Sequence, residues 1–136
     1  MLLHCLAREF SIAIPLVWRN IVKYFAFTLN LRNDPKAIAA YKEYHRNVWP
    51  EIERNQRRVG IKKTRIFLHG RRLFMYCETT DDYDPQTAFA EFMKEPKGAE
   101  WERLMRENFQ EPLPEAKPGE WWLPMELVYA LDSSEA

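Results

Sequence analysis

Two Asp-Pro steps, Asp34-Pro35 and Asp84-Pro85, constrain the fold more than any other feature of the sequence. An aspartate carboxylate accepts from the unpaired N–H groups of a first helical turn, and proline at the next position sacrifices no helical hydrogen bond. Each step therefore marks a helix start. Before the first, residues 23–31 (KYFAFTLNL) alternate: Phe25, Phe27, Leu29 and Leu31 share one side, and Tyr24, Ala26, Thr28 and Asn30 the other. That is a half-buried strand.

After the first step, Ile38, Tyr41, His45, Val48 and Ile52 recur at intervals of three and four and form the inward face of a helix. Pro50 predicts a kink or a fresh start inside it, and Gly60 a C-terminal stop. Residues 61–69 and 72–79 read as two strands joined at His69-Gly70-Arg71 by a tight hairpin turn. After Asp84-Pro85, Phe89, Phe92 and Met93 form the stripe of a short helix that Pro96 and Gly98 interrupt. A second piece carries Trp101, Leu104, Met105 and Asn108 at helical spacing. A proline-rich connection then leads to an expected strand over 121–131, with Met125, Leu127, Tyr129 and Leu131 on one face and Pro124 at an edge or bulge.

The order strand, helix, hairpin, helix, strand is the ferredoxin-like βαββαβ pattern of the α+β class. Helices cover one face of its antiparallel sheet. The opposite face carries large side chains that a monomer should not expose, so a homodimer packed sheet to sheet is expected, giving a dimeric α/β-barrel.

The domain is expected over 23–136. Residues 1–22 read as an N-terminal extension. The apolar run Ile12–Trp18 is broken by Pro15 and is far short of the roughly 20 residues a membrane span needs, and the pattern suits a removable signal poorly. Cys5 and Cys77 fit no disulfide framework or zinc spacing. The expected setting is cytoplasmic, with no membrane partner. Twenty basic residues balance twenty acidic ones, which gives no electrostatic footprint for nucleic acid.

His45 is the most informative candidate for chemistry. A titratable ring on an inward helix face is either a core histidine with both nitrogens satisfied or a general acid/base; the helix face alone leaves both open. Tyr41 lies one turn before it and Trp49 one turn after. Trp49 and Trp101 would serve as core, or as walls that stack on a small uncharged ligand. The three histidines have no metal-ligand spacing, and the basic cluster Arg57, Arg58, Lys62, Lys63, Arg65 reads as a solvated face.

The run Tyr41-Lys-Glu-Tyr-His45-Arg-Asn-Val-Trp49-Pro50-Glu51 resembles the helix motif of the L-rhamnose mutarotases, a Tyr-x-x-x-His-x-x-x-Trp-Pro-Glu arrangement. The resemblance extends through Phe25-Ala-Phe-Thr-Leu, Ile66-Phe-Leu-His-Gly, Leu73-Phe74, Trp101 and Lys117-Pro-Gly-Glu-Trp-Trp, and covers about 23 to 131. It implies a dimeric ferredoxin-like isomerase that interconverts the α and β anomers of a 6-deoxy sugar without metal or organic cofactor. His45 matches the family's proton donor and Tyr41 its substrate-binding tyrosine. Thr64 stands where some members have a substrate-contacting tyrosine, and Trp101-Glu102 where some have a Trp-Trp pair. Thr64 offers a hydroxyl and Glu102 an acceptor, but neither stacks. The partner so implied is a small neutral monosaccharide, L-rhamnose first, with L-fucose or another deoxy sugar as the alternative. A cofactor-independent oxygenase and a non-catalytic binding dimer are the rival readings on the same fold.

Overall fold

The computed structural model describes residues 23–132. The expected extension, with His4, Cys5 and Trp18, lies outside them. The elements are β1 (Lys23–Leu31), α1 (Pro35–Arg46), α2 (Pro50–Arg58), β2 (Ile61–His69), β3 (Arg72–Thr79), α3 (Pro85–Met93), α4 (Pro96–Asn108), β4 (Gln110–Glu111) and β5 (Leu123–Pro124).

Both Asp-Pro steps act as expected. The Asp34 carboxylate accepts from the Lys36 N–H at 3.0 Å and that of Asp84 from the Thr87 N–H at 3.0 Å, with proline opening each helix. At Pro50 the outcome is a fresh start. α1 closes at Asn47, whose N–H reaches the Tyr44 carbonyl, and Trp49 turns extended ahead of α2. The reason is that proline clashes with a preceding residue in helical conformation. Pro96 likewise opens α4. Gly98 does not interrupt that helix but lies buried within it, against Phe92 and Asn55.

The sheet runs β2-β3-β1-β4, all neighbours antiparallel, which is the ferredoxin-like order. Leu29 pairs with Leu73, and Phe27 with Met75, so the alternation of β1 and β3 puts Leu29, Leu31, Leu73 and Cys77 on one buried face. The helices supply Tyr41, Ile52, Phe92, Trp101 and Met105 to the same core. The other face presents Tyr24 stacked on Tyr76 and Phe67 stacked on Phe74, with Tyr24 and Phe67 more than half exposed.

The last strand departs from expectation. Only Leu123 and Pro124 pair, with Thr28 and Phe27, and a separate two-residue piece, β4, pairs with Asn30 and Leu31. Residues 125–131 form no regular element, and Leu127, Val128, Tyr129 and Leu131 are exposed. Pro124 offers no N–H, and after the Met125 N–H reaches the Ala26 carbonyl the ladder stops. Asn108, expected on the apolar stripe of α4, is exposed and bonds the Leu104 carbonyl.

Candidate active site

The last two turns of α1 meet α4 across an aromatic cluster. The α1 periodicity that buries Tyr41 leaves His45, one turn on, at the rim of the core. The two rings lie 4.1 Å apart between centroids, and the Trp101 indole meets His45 edge-on at 5.4 Å. Trp49 is edge-on to Trp101 at 5.0 Å, so four expected site residues, Tyr41, His45, Trp49 and Trp101, form one cluster. Tyr44 packs on the same indole.

His45 Nδ1 is 2.8 Å from the Tyr41 carbonyl oxygen. A carbonyl only accepts, so Nδ1 carries the proton and Nε2 the lone pair in the neutral ring. Burial lowers the imidazole pKa, opposed less strongly by that hydrogen bond. The resting ring is therefore neutral at pH 7, poised to accept a proton at Nε2. The Tyr41 phenol is buried and its pKa rises, so it stays protonated.

Glu102 follows Trp101 on α4, and its charge reaches Tyr41. Desolvation raises its carboxyl pKa, partly offset by Arg106. Arg106 Nε lies 3.4 Å from Glu102 Oε1, inside ion-pair range but out of line for a hydrogen bond, so this buried Nε has no partner. The Arg106 guanidinium lies over the Phe89 and Trp121 rings, 5.5 and 5.2 Å from their centroids. The side-chain amide of Gln110, first residue of β4, faces the Tyr41 phenol and opposes the rise in its pKa, and its Oε1 is buried and unpartnered.

Thr64 lies on β2, paired with Cys77 of β3. Its hydroxyl is 3.9 Å from Cys77 Sγ, and it lines a cleft of about 240 Å³ between α2 and the start of β2, together with the basic cluster residues Arg57, Lys62, Lys63 and Arg65. A second cleft, of about 310 Å³, is lined by Tyr44, Trp49, Glu100 and Arg103 among others. His45 lines neither, so the aromatic walls are present but this ring does not sit in either hollow. Arg106 and Gln110 carried no sequence signal as site residues, and Trp121, though within the Lys117-Pro-Gly-Glu-Trp-Trp run, was given no role in the site. Only the returning C-terminal segment brings Trp121 to Arg106.

No group of three or more His, Cys, Asp or Glu side chains among the described residues could hold a metal ion. No helix of the described residues is long and apolar enough to cross a membrane.

The sequence matches the family profile described as L-rhamnose mutarotase over residues 24–131. The chain belongs to the L-rhamnose mutarotase family. Membership makes it a sugar mutarotase, an isomerase acting on carbohydrates. An L-fucose mutarotase of Xanthomonas campestris is 36% identical over 110 residues, covering 79% of this chain and 87% of that one. A UPF0734 protein of Dictyostelium discoideum is 47% identical over 114 residues, covering 81% and 90%. The crystal structure of an L-rhamnose mutarotase from Formosa agariphila superposes with a TM-score of 0.60 at 23% identity, covering 81% of this chain and 99% of that chain, and shares the fold.

Proposed function

We propose that this mutarotase acts on a 6-deoxy hexose, with His45 as its general acid/base. The observation that carries the proposal is the His45 Nδ1 contact to the Tyr41 carbonyl, which fixes a neutral tautomer whose Nε2 is ready to take a proton. Nε2 removes the proton of the anomeric hydroxyl while the ring oxygen gains one from the Tyr41 phenol or a water held by it. The bond between the anomeric carbon and the ring oxygen breaks. The aldehyde rotates, the ring hydroxyl attacks the other face, and both protons return along the same routes. A single well-placed acid/base group supplies about 10²–10⁴ in rate, enough for a reaction that already proceeds in water. Trp49, with Trp101 packed behind it, would present an apolar face to the pyranose, and Glu102 would contact a hydroxyl. L-rhamnose is the substrate the family points to, and the Xanthomonas relative favours L-fucose as the second reading.

The open sheet face supports the homodimer expected from the alternation. Tyr24, Phe67, Phe74 and Tyr76 form an aromatic surface that a second copy would cover.

His45→Ala tests the assignment. Saturation-transfer NMR on equilibrated L-rhamnose and L-fucose is expected to show anomer exchange falling 10²–10⁴-fold, with unchanged circular dichroism. Full exchange in the variant refutes the role of His45.

A further inference from the structure

Three polar side chains on the α4 side of the site are not explained by proton transfer at His45. Glu102 and Arg106 stand one turn apart on α4, and Gln110 follows at the start of β4. Gln110 is 4% exposed and faces the Tyr41 phenol, yet its Oε1 has no partner. Arg106 Nε is buried without a hydrogen bond, 3.4 Å from Glu102 Oε1, and its guanidinium lies over the Phe89 and Trp121 rings. Buried polar groups are normally paired, and an unpaired one costs the full desolvation of that group. Gln110 Oε1 and Arg106 Nε are two such atoms, four residues apart where α4 runs into β4, and Glu102 and Gln110 both act on Tyr41.

We propose that Gln110 and Arg106, with Glu102 beside them, are the specificity-determining residues of the sugar site, and that they hold adjacent hydroxyls of a neutral pyranose. This rests on the mutarotase reading and adds to it the part of the substrate that is read. The chemistry selects the ligand class. An anionic ligand would meet Glu102, and a cationic one Arg106. A hydroxyl is both donor and acceptor, so one hydroxyl satisfies the Gln110 oxygen while its neighbour accepts from the Arg106 Nε–H.

The test compares anomer exchange by saturation-transfer NMR for L-rhamnose, L-fucose and their 2-, 3- and 4-deoxy analogues, using the full chain and the variants Gln110→Leu and Arg106→Met. A site built to bond a substrate hydroxyl rejects the analogue that lacks it. The wild-type chain is expected to lose at least about tenfold in kcat/KM on one or two of the deoxy analogues. Each variant is expected to lose a similar factor on the parent sugar, mostly in KM, and little on the analogue missing the matching hydroxyl. His45→Ala, by contrast, lowers every sugar alike through kcat. Preserved discrimination in both variants, or an equal loss on every sugar, overturns this proposal while leaving the mutarotase reading intact. So does a wild-type chain that exchanges all the analogues equally well, which needs no variant to fold. A wild-type chain that exchanges none of these sugars overturns both.

Discussion

Gly98 offers a sharp test of how α4 is seated, because its side of the helix has no room for a methyl group. A Cβ built there would lie 2.5 Å from the Phe92 carbonyl oxygen and 2.7 Å from Asn55 Nδ2, both inside any real contact distance. The first of these is backbone and cannot swing away. The second belongs to buried Asn55, whose Nδ2 donates to that same Phe92 carbonyl at 2.9 Å and whose Oδ1 accepts from Arg58 at 2.8 and 3.1 Å. Gly98→Ala gains about 1 kcal/mol of helix propensity. Against this stand about 1–3 kcal/mol for overpacking and about 1–3 kcal/mol for a broken buried hydrogen bond. The net expectation is a loss of about 3 kcal/mol, a fall in Tm of roughly 10–20 °C for a domain of this size. Thermal and urea unfolding followed by circular dichroism would measure it. Because Gly98 is one turn before Trp101 and Glu102, residual anomer exchange at a temperature where the variant is folded should also fall. A variant as stable as the wild type would refute the packing described for this helix.

Two further outcomes follow from the geometry. His45 titrates below its ordinary value of 6.5, so exchange should hold level through neutrality and fall on the acid side with an apparent pKa below 6.5, read from a pH–rate profile. The native ring resists the proton that the unfolded chain accepts, so stability is full above about 6.5 and declines as pH falls toward the native pKa; a His45→Ala chain should lack that component. If the proposed sheet-to-sheet dimer forms, Phe67→Asp places a charge in it and should yield a folded monomer by sedimentation velocity; an unchanged dimer would move the interface elsewhere, and a monomeric wild type would refute the dimer.

The sequence by itself determined most of the architecture and the α1 side of the aromatic cluster. Asp34-Pro35 and Asp84-Pro85 act within a single turn, and the alternation of 23–31 against 72–79 sorts side chains by face; both are local effects, readable without knowing what lies opposite. The same holds for Tyr41 and His45, neighbours on one helix by its 3.6-residue period, with Trp49 close behind. Tertiary structure decided what meets that helix. Trp101 reaches His45 only because α4 docks on the same side of the sheet, and Gln110 reaches Tyr41 only through the turn that ends α4. Trp121 pins Arg106 from far along the chain, across a proline-rich connection with no periodicity to read. The final strand, sound by alternation over 121–131, shrank to Leu123–Pro124, because a strand needs a partner's hydrogen bonds as well as its own pattern, and beyond Met125 the chain forms no further ladder with β1.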